Sequence, residues 1–333
     1  MLSTHSVAKQ STRKMLSDPV RRLALHSGVS AHLARRQKKP RILMFHAVGG
    51  DGAQTVYPYE QAYSTEVFEA QIRYLLRHFT VVPLDRIIER IEACTAGDGQ
   101  NQVALTFDDG LRNTAHTAYP ILRRLGVPAT FFLCPELLDR GEWQWSYECP
   151  ARLARLSHEH RAELLRAAGA PSASTDAVIG WMSDLEDSHR RSVVRQIREA
   201  TRGFEPSSVE RFNFDLMTWD EVDMLDRSLV EIGSHTMTHP ILSRTDPVQM
   251  RREIIESKRM LEDRLARPVR YFCYPNGVFS PEVVDVVRQT YRAAVTSESG
   301  FVLPGQDLCL LPRIGAGEED VHDLAWRLHR PRS

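Results

Sequence analysis

The chain is poor in cysteine, and the few it has are not paired. Cys94, Cys134, Cys149, Cys273 and Cys309 are scattered over 333 residues with no Cys-x-x-Cys spacing. That pattern excludes a disulfide framework and a cysteine-based structural zinc site. An odd number of scattered thiols fits a reducing compartment. Long apolar runs are missing too. No stretch approaches the roughly 18 apolar residues of a membrane-spanning helix, and no early run resembles a signal-peptide core. The expectation is a soluble, cytoplasmic chain. Net charge is absent as well: 43 Lys and Arg balance 43 Asp and Glu. Taken whole, the chain has no basic excess to attract nucleic acid. It shows neither an internal repeat nor a low-complexity tract.

What remains is ordinary globular material, 42% hydrophobic and 26% charged. That is enough for one large α/β domain with additions. The charge is unevenly spread. Residues 1–41 hold ten Lys and Arg against the single acid Asp18, so the remaining 292 residues carry a balance of −9. Within this leader Asp18-Pro19 reads as a helix start. Val20, Leu23, Leu25, Val29 and Leu33 recur at roughly helical spacing among Arg21, Arg22, Arg35 and Arg36. Residues 1–40 thus form a basic N-terminal extension with one amphipathic helix. It either makes peripheral contact with an anionic membrane surface at its inner face or packs on the body. Nothing in the sequence sets an oligomeric state.

From residue 41 the pattern alternates. Strands are predicted at 41–46, 80–82, 103–107, 128–133, 229–232, 270–274 and 292–296, with helices at 64–78, 84–94, 113–125, 218–227, 246–266 and 281–289, and a last helix after Leu310-Leu-Pro-Arg313. Strand–helix alternation of this length predicts parallel strands with crossover helices, in a barrel or an open sheet. Residues 150–217 break the alternation with charged, Ala- and Arg-rich helical sequence, and read as an insertion.

The residues suited to chemistry follow the predicted strands. Thr106-Phe107-Asp108-Asp109-Gly110 ends a buried strand in adjacent carboxylates. Such a pair resists double ionisation unless a cation neutralises it; the plain alternative is a solvated Asp-Gly turn. His235 and His239 also come directly after a strand. In a parallel barrel the loops after the strands converge on one face. One carboxylate and two imidazoles there make a three-ligand metal site with open positions. The other aspartate is then free to act as general base. Arg270, at the head of the strand that runs into Pro275-Asn276-Gly277, is a candidate to orient that base. The turn itself can offer a backbone N–H to an oxyanion. His46 ends the first strand and could line the site or protonate a leaving amine. Trp143, Trp145 and Tyr147 lie in a predicted loop on the same face, as sugar-stacking or loop-packing rings. Cys134 and Cys273 read as small buried hydrophobes.

The order Thr106–Gly110, then Ser234-His-Thr-Met-Thr-His239, then Arg270 with Pro275, resembles the polysaccharide deacetylase family, which contains the NodB homology domain (carbohydrate esterase family 4). The likeness spans about residues 100–315, interrupted by the insertion. Residues 41–95, with Met44-Phe-His46, look like the N-terminal part of bacterial exopolysaccharide deacetylases. The resemblance implies a distorted (β/α) barrel over 41–333 with a helical insertion at 150–217. It implies a divalent metal, zinc before cobalt, nickel or manganese, and hydrolysis of N-acetyl groups on the amino sugars of a glycan. On matching positions Asp108 is the base, Asp109, His235 and His239 the metal ligands, and Arg270 the partner of the base. Arg313, after Pro312, is the alternative partner. Where members often carry an aromatic residue after the proline, this chain has Asn276. The late Leu-x-His motif that supplies a general acid has only Leu328-His329 to match it, which leaves His46 as the other candidate. Two further readings remain: an amidase or imidase acting on a non-sugar substrate, and a non-catalytic sugar-binding protein on the same fold.

Overall fold

A computed structural model describes residues 39–49, 64–93, 101–317 and 320–329. The helix expected at 20–36, the glycines at 50 and 52, and Cys94 lie outside the described residues. The elements follow the expected alternation: β1 Arg41–Phe45, α1 Thr65–His78, β2 Thr80–Val81, α2 Leu84–Glu92, β3 Gln102–Phe107, α3 Tyr119–Leu125, β4 Ala129–Leu133 and α4 Pro135–Arg140. Five helices come next: α5 Trp145–Leu153, α6 His158–Ala167, α7 Thr175–Asp184, α8 Asp187–Ala200 and α9 Ser208–Phe214. The chain ends with α10 Trp219–Asp223, β5 Val230–Ser234, α11 Pro247–Leu265, β6 Tyr271–Cys273, α12 Pro281–Thr290, β7 Ala293–Val295, β8 Ile314–Gly315 and α13 Val321–His329. Local chemistry sets the boundaries. The Ser64 hydroxyl accepts the Val67 N–H at the head of α1, and Asp246 caps α11 ahead of a proline in its first turn. Gly126, in the left-handed region, ends α3. The helix expected at 113–125 opens with a π-helical turn, Thr114–Ala118.

All strand pairings are parallel, in the order β7-β6-β5-β4-β3-β1-β8, with β2 beside the start of β3. The sheet curls. Leu311 bridges to Val295 at the end of β7, and three residues later Ile314 pairs with Leu43 of β1. One short segment therefore ties the last long strand to the first, giving the distorted (β/α) barrel. Side-chain alternation sorts the core into two layers. Ile42, Ala104, Phe132, Tyr271, Cys273, Val295 and Leu311 pack together inside, with Leu84, Ile87, Ile88 and Ile91 of α2 closing the N-terminal mouth. Leu43, Phe45, Leu105, Phe107 and Phe131 face outward under the helices. Burial on both faces is why these strands read as nearly continuous apolar runs.

The insertion is helical as expected, but it starts earlier, at α5, so Trp145 and Tyr147 are helical rather than in a loop. It has a core of its own, in which Trp145, Cys149 and Leu153 of α5 meet Leu165, Val178, Met182, Val193 and Ile197. No described helix is long and apolar enough to cross a membrane.

The residue that seats the aspartate pair is Phe107. Its ring stacks on Phe45 at 5.0 Å between centroids and meets Phe131 edge-on at 5.2 Å. Phe107→Ala should therefore cost about 3–5 kcal/mol, as buried Phe-to-Ala changes do. Urea unfolding of the two proteins measures it, and a loss under 1 kcal/mol would contradict this packing.

Candidate active site

Because every strand points the same way, the residues after the strands gather at one mouth. His46 follows β1, the aspartate pair β3, His235 and His239 β5, and the Pro275 turn β6. Asp109 and Gly110 both have positive φ, 73° and 69°. This turns the chain sharply and leaves both carboxylates beneath the opening.

Asp109, His235 and His239 are all buried. The two Nε2 atoms lie 3.4 and 3.5 Å from the same oxygen, Asp109 Oδ1. Donors of a four-coordinate zinc, bonded at 2.0–2.2 Å, stand roughly 3.3–3.5 Å apart, so the residues fit such an ion. Each is also held from behind. Tyr147 donates its hydroxyl to the other Asp109 oxygen, Oδ2, at 2.6 Å, and its ring stacks on Phe214. His235 Nδ1 bonds the Cys273 carbonyl at 2.7 Å, which leaves Nε2 to face the aspartate. The Trp145 indole N–H donates to the His239 carbonyl at 3.2 Å. The loop between the histidines is strained, with Thr236 and His239 at φ 69° and 57°. Glu253 holds it there by accepting the Met237 and Thr238 N–H groups, both at 2.9 Å, and the Thr238 hydroxyl. Burial and the neighbouring His235 lower His239 to a pKa of about 3, so its ring is neutral. Burial opposes ionisation of Asp109, but the hydrogen bond and charge of His235 outweigh it, and its carboxyl lies well below the ordinary range.

Asp108 has a different partner. Arg313, 1% exposed, grips it with two parallel bonds of 2.7 Å, Nη1 to Oδ1 and Nη2 to Oδ2. The guanidinium is itself fixed by the Thr296 carbonyl and the Thr106 hydroxyl. Burial pushes the Asp108 carboxyl up, Arg313 pulls it down, and the arginine prevails. His46 Nε2 stands 3.9 Å from Asp108 Oδ2 and keeps 28% of its side chain exposed toward the mouth. Asn113 and Thr114 anchor the chain beside it by bonding the Val48 N–H and the His46 carbonyl. Asp108, His235 and Cys273 also cluster, but the arginine already engages both oxygens of Asp108, which leaves that group poorly suited to a cation.

Three expectations need correction. Arg270 does not reach Asp108. It stands at the start of β6, at the opposite mouth, where it pairs with Asp85 at 2.6 Å and Glu231 at 3.4 Å. Trp145 is a largely buried ring and not an open sugar-stacking platform at the metal site: it lies within cation–π reach of Arg190 and supports the His239 loop. His329 also lies at the far end, where the neighbouring Leu328 carbonyl accepts from Arg41 at the start of β1. Pro275, Asn276 and Gly277 do form a tight turn at the right mouth, and a Cβ on Gly277 would overlap the Ser297 side chain. In that turn the Gly277 N–H is taken by the Tyr274 carbonyl, while the Asn276 N–H has no acceptor among the described residues. Tyr147 and Glu253 were not assigned these supporting roles from sequence. Glu253 left one signal, a carboxylate on the buried face of α11 beside Met250 and Ile254.

The comparisons with known proteins agree with this geometry. The polysaccharide deacetylase family model matches residues 96–294. The chain is also similar to YxkH of Bacillus subtilis (strain 168), which carries the polysaccharide deacetylase name, at 19% identity over 82% of this chain and 70% of that protein. Among solved structures it resembles the Streptococcus pyogenes deacetylase PplD in complex with acetate, with a TM-score of 0.60 and 16% identity, covering 88% of this chain and 99% of that one. IcaB from Ammonifex degensii gives a TM-score of 0.57 and 16% identity over 88% of this chain and 97% of the other. The chain belongs to the polysaccharide deacetylase family. Membership makes an acetylated carbohydrate its substrate class and brings a family that generally uses a divalent metal.

Two measurements check the site. Tyr147→Phe should bind zinc about 10–100-fold more weakly in competition with a chromophoric chelator, the usual cost of losing a partner of a metal ligand, while its circular dichroism is unchanged. Unchanged zinc affinity would show that the tyrosine only packs. Arg313→Ala should lose about 3–5 kcal/mol in urea unfolding, because it strands a buried carboxylate. Arg270→Ala, which breaks a partly exposed pair, should lose about 1 kcal/mol or less.

Proposed function

We propose that the protein is a metal-dependent N-deacetylase that removes acetyl groups from the amino sugars of a glycan. One observation carries this reading: a buried Asp109, His235 and His239 set at zinc spacing, beside a second aspartate kept ionised by a bidentate arginine. A divalent metal on the three ligands, zinc fitting best, supplies a Lewis acid and an activated water when bound. Asp108 takes the proton that water gives up as it adds to the acetamide carbonyl. Arg313 keeps Asp108 oriented and ionised for that step. The free N–H of Asn276 is the donor available to the carbonyl oxygen as negative charge develops there. His46, beside Asp108 and open to solvent, gives a proton to the departing nitrogen. The C–N bond breaks, leaving acetate and a free sugar amine. The four described cysteines are free and buried, which supports a reducing, cytoplasmic setting.

The two aspartates separate by mutation. Asp109→Ala, His235→Ala and His239→Ala should lose bound metal and activity together. Asp108→Asn should keep the metal and lose roughly 10²–10⁴ in turnover, the range of a general base. Metal content by atomic emission and acetate release from N-acetylglucosamine oligomers give both readings. An Asp108→Asn protein that is empty, or that turns over normally, would overturn the assignment.

A further inference from the structure

A second concavity, of about 590 Å³, adjoins the histidine loop. Its lining comes from α4, from α8 of the insertion, from the first turns of α11, and from Thr238 and Pro240, which flank His239. Trp143 and Trp145 line it as well. It is rich in guanidinium groups: Arg140, Arg190, Arg191, Arg195, Arg198 and Arg252. Four carboxylates share the lining, and all four are spoken for. Glu136 pairs with Arg140, Glu142 with Arg198 at 3.1 Å, and Asp187 with Arg190 at 2.6 Å and Arg191 at 3.2 Å. Glu253 is committed to the histidine loop. Arg195 on α8 and Arg252 on α11 are left over. They come from different walls, and neither has a carboxylate partner among the described residues. This runs against the background, since residues 42–333 carry a net −9.

We propose that this groove binds an anionic substituent, a carboxylate or phosphate group, on a sugar next to the one being deacetylated. The inference rests on the deacetylase reading of the neighbouring site. A planar guanidinium matches the oxygens of carboxylate and phosphate, and the groove offers two of them from different helices. Six guanidinium groups against four carboxylates leave the lining with an excess of two positive charges, matching the two arginines without a carboxylate partner among the described residues. The groove and the metal site share one loop. Thr238 and Pro240 line the groove, and His239 between them is a candidate ligand. On this proposal one glycan chain lies across both. Neutral oligomers reach the metal site without using the groove, whereas acidic glycans gain an anchor.

The full-length protein and an Arg195→Ala/Arg252→Ala double variant are titrated with tri-galacturonate, with inorganic pyrophosphate and with neutral N-acetylglucosamine oligomers. Tryptophan fluorescence follows binding, because Trp143 and Trp145 line the groove. The wild type should show saturable, salt-sensitive binding of at least one anion, weakened about tenfold or more in the variant, as befits loss of charged hydrogen bonds. The neutral oligomer should titrate alike in both, and the two anionic probes tell carboxylate from phosphate. Zinc affinity should not differ between the proteins. Acetate release is then compared on N-acetylated oligosaccharides with and without uronate residues. The variant should show a raised KM on the acidic substrate only, with kcat unchanged. Equal affinity of both proteins for the anions, or no saturable binding by the wild type, overturns the groove. Anion binding that the variant loses, in a protein that releases no acetate from any glycan, leaves the groove standing and removes the deacetylase reading.

Discussion

Burying a full positive and a full negative charge together is costly, and the pairing of Arg313 with Asp108 meets that cost in a way that organises the barrel. Two parallel bonds, a hydroxyl and a backbone carbonyl satisfy the guanidinium. The arginine arrives on the segment that closes the sheet, between the bridge at Leu311 and the pairing of Ile314 with β1. Closure of the barrel and ionisation of the base are thus linked. Without Arg313 on that segment, the buried Asp108 would lose the counter-charge that most offsets its desolvation.

The same reasoning extends to strain. Asp109, Thr236 and His239 all have positive φ, which is unfavourable for residues with a side chain. Each strained residue lies next to a restraint: Tyr147 on Asp109, and Glu253 and the Trp145 indole on the histidine loop. Neighbouring structure offsets the local cost, and in return three donor atoms point at one place.

Much of this was legible because period and position carry direction. Apolar runs followed by Asp108-Asp109 and by His235 marked strand ends, and strand ends in a parallel barrel share a mouth. The rule that identified those residues also argues against Arg270, which begins its strand and so belongs at the other mouth. Arg313 was harder to see. It precedes a strand of only two residues, after a proline, and its importance comes from closure, which pairs residues more than 200 positions apart. Tyr147 was hidden for another reason. Its helix contains Pro150 and begins in the aromatic run 143–147, so local pattern suggests a loop. Glu253 looked like an ordinary helical acid until the strained loop appeared beside it.

Helix α5 belongs to two bodies at once. Cys149 and Leu153 on its later turns key the insertion's own core, while Trp145 and Tyr147 in its first turn reach a carbonyl and a carboxylate of the metal site. The boundary between module and scaffold therefore falls inside a helix. A chimaera that borrows another protein's insertion has to be spliced C-terminal to Tyr147 to keep the donor set intact. By the same geometry, drift in the insertion is constrained at that first turn and at Phe214, which stacks on Tyr147, and whatever grips the later turns pulls on a rigid rod whose other end rests against Asp109.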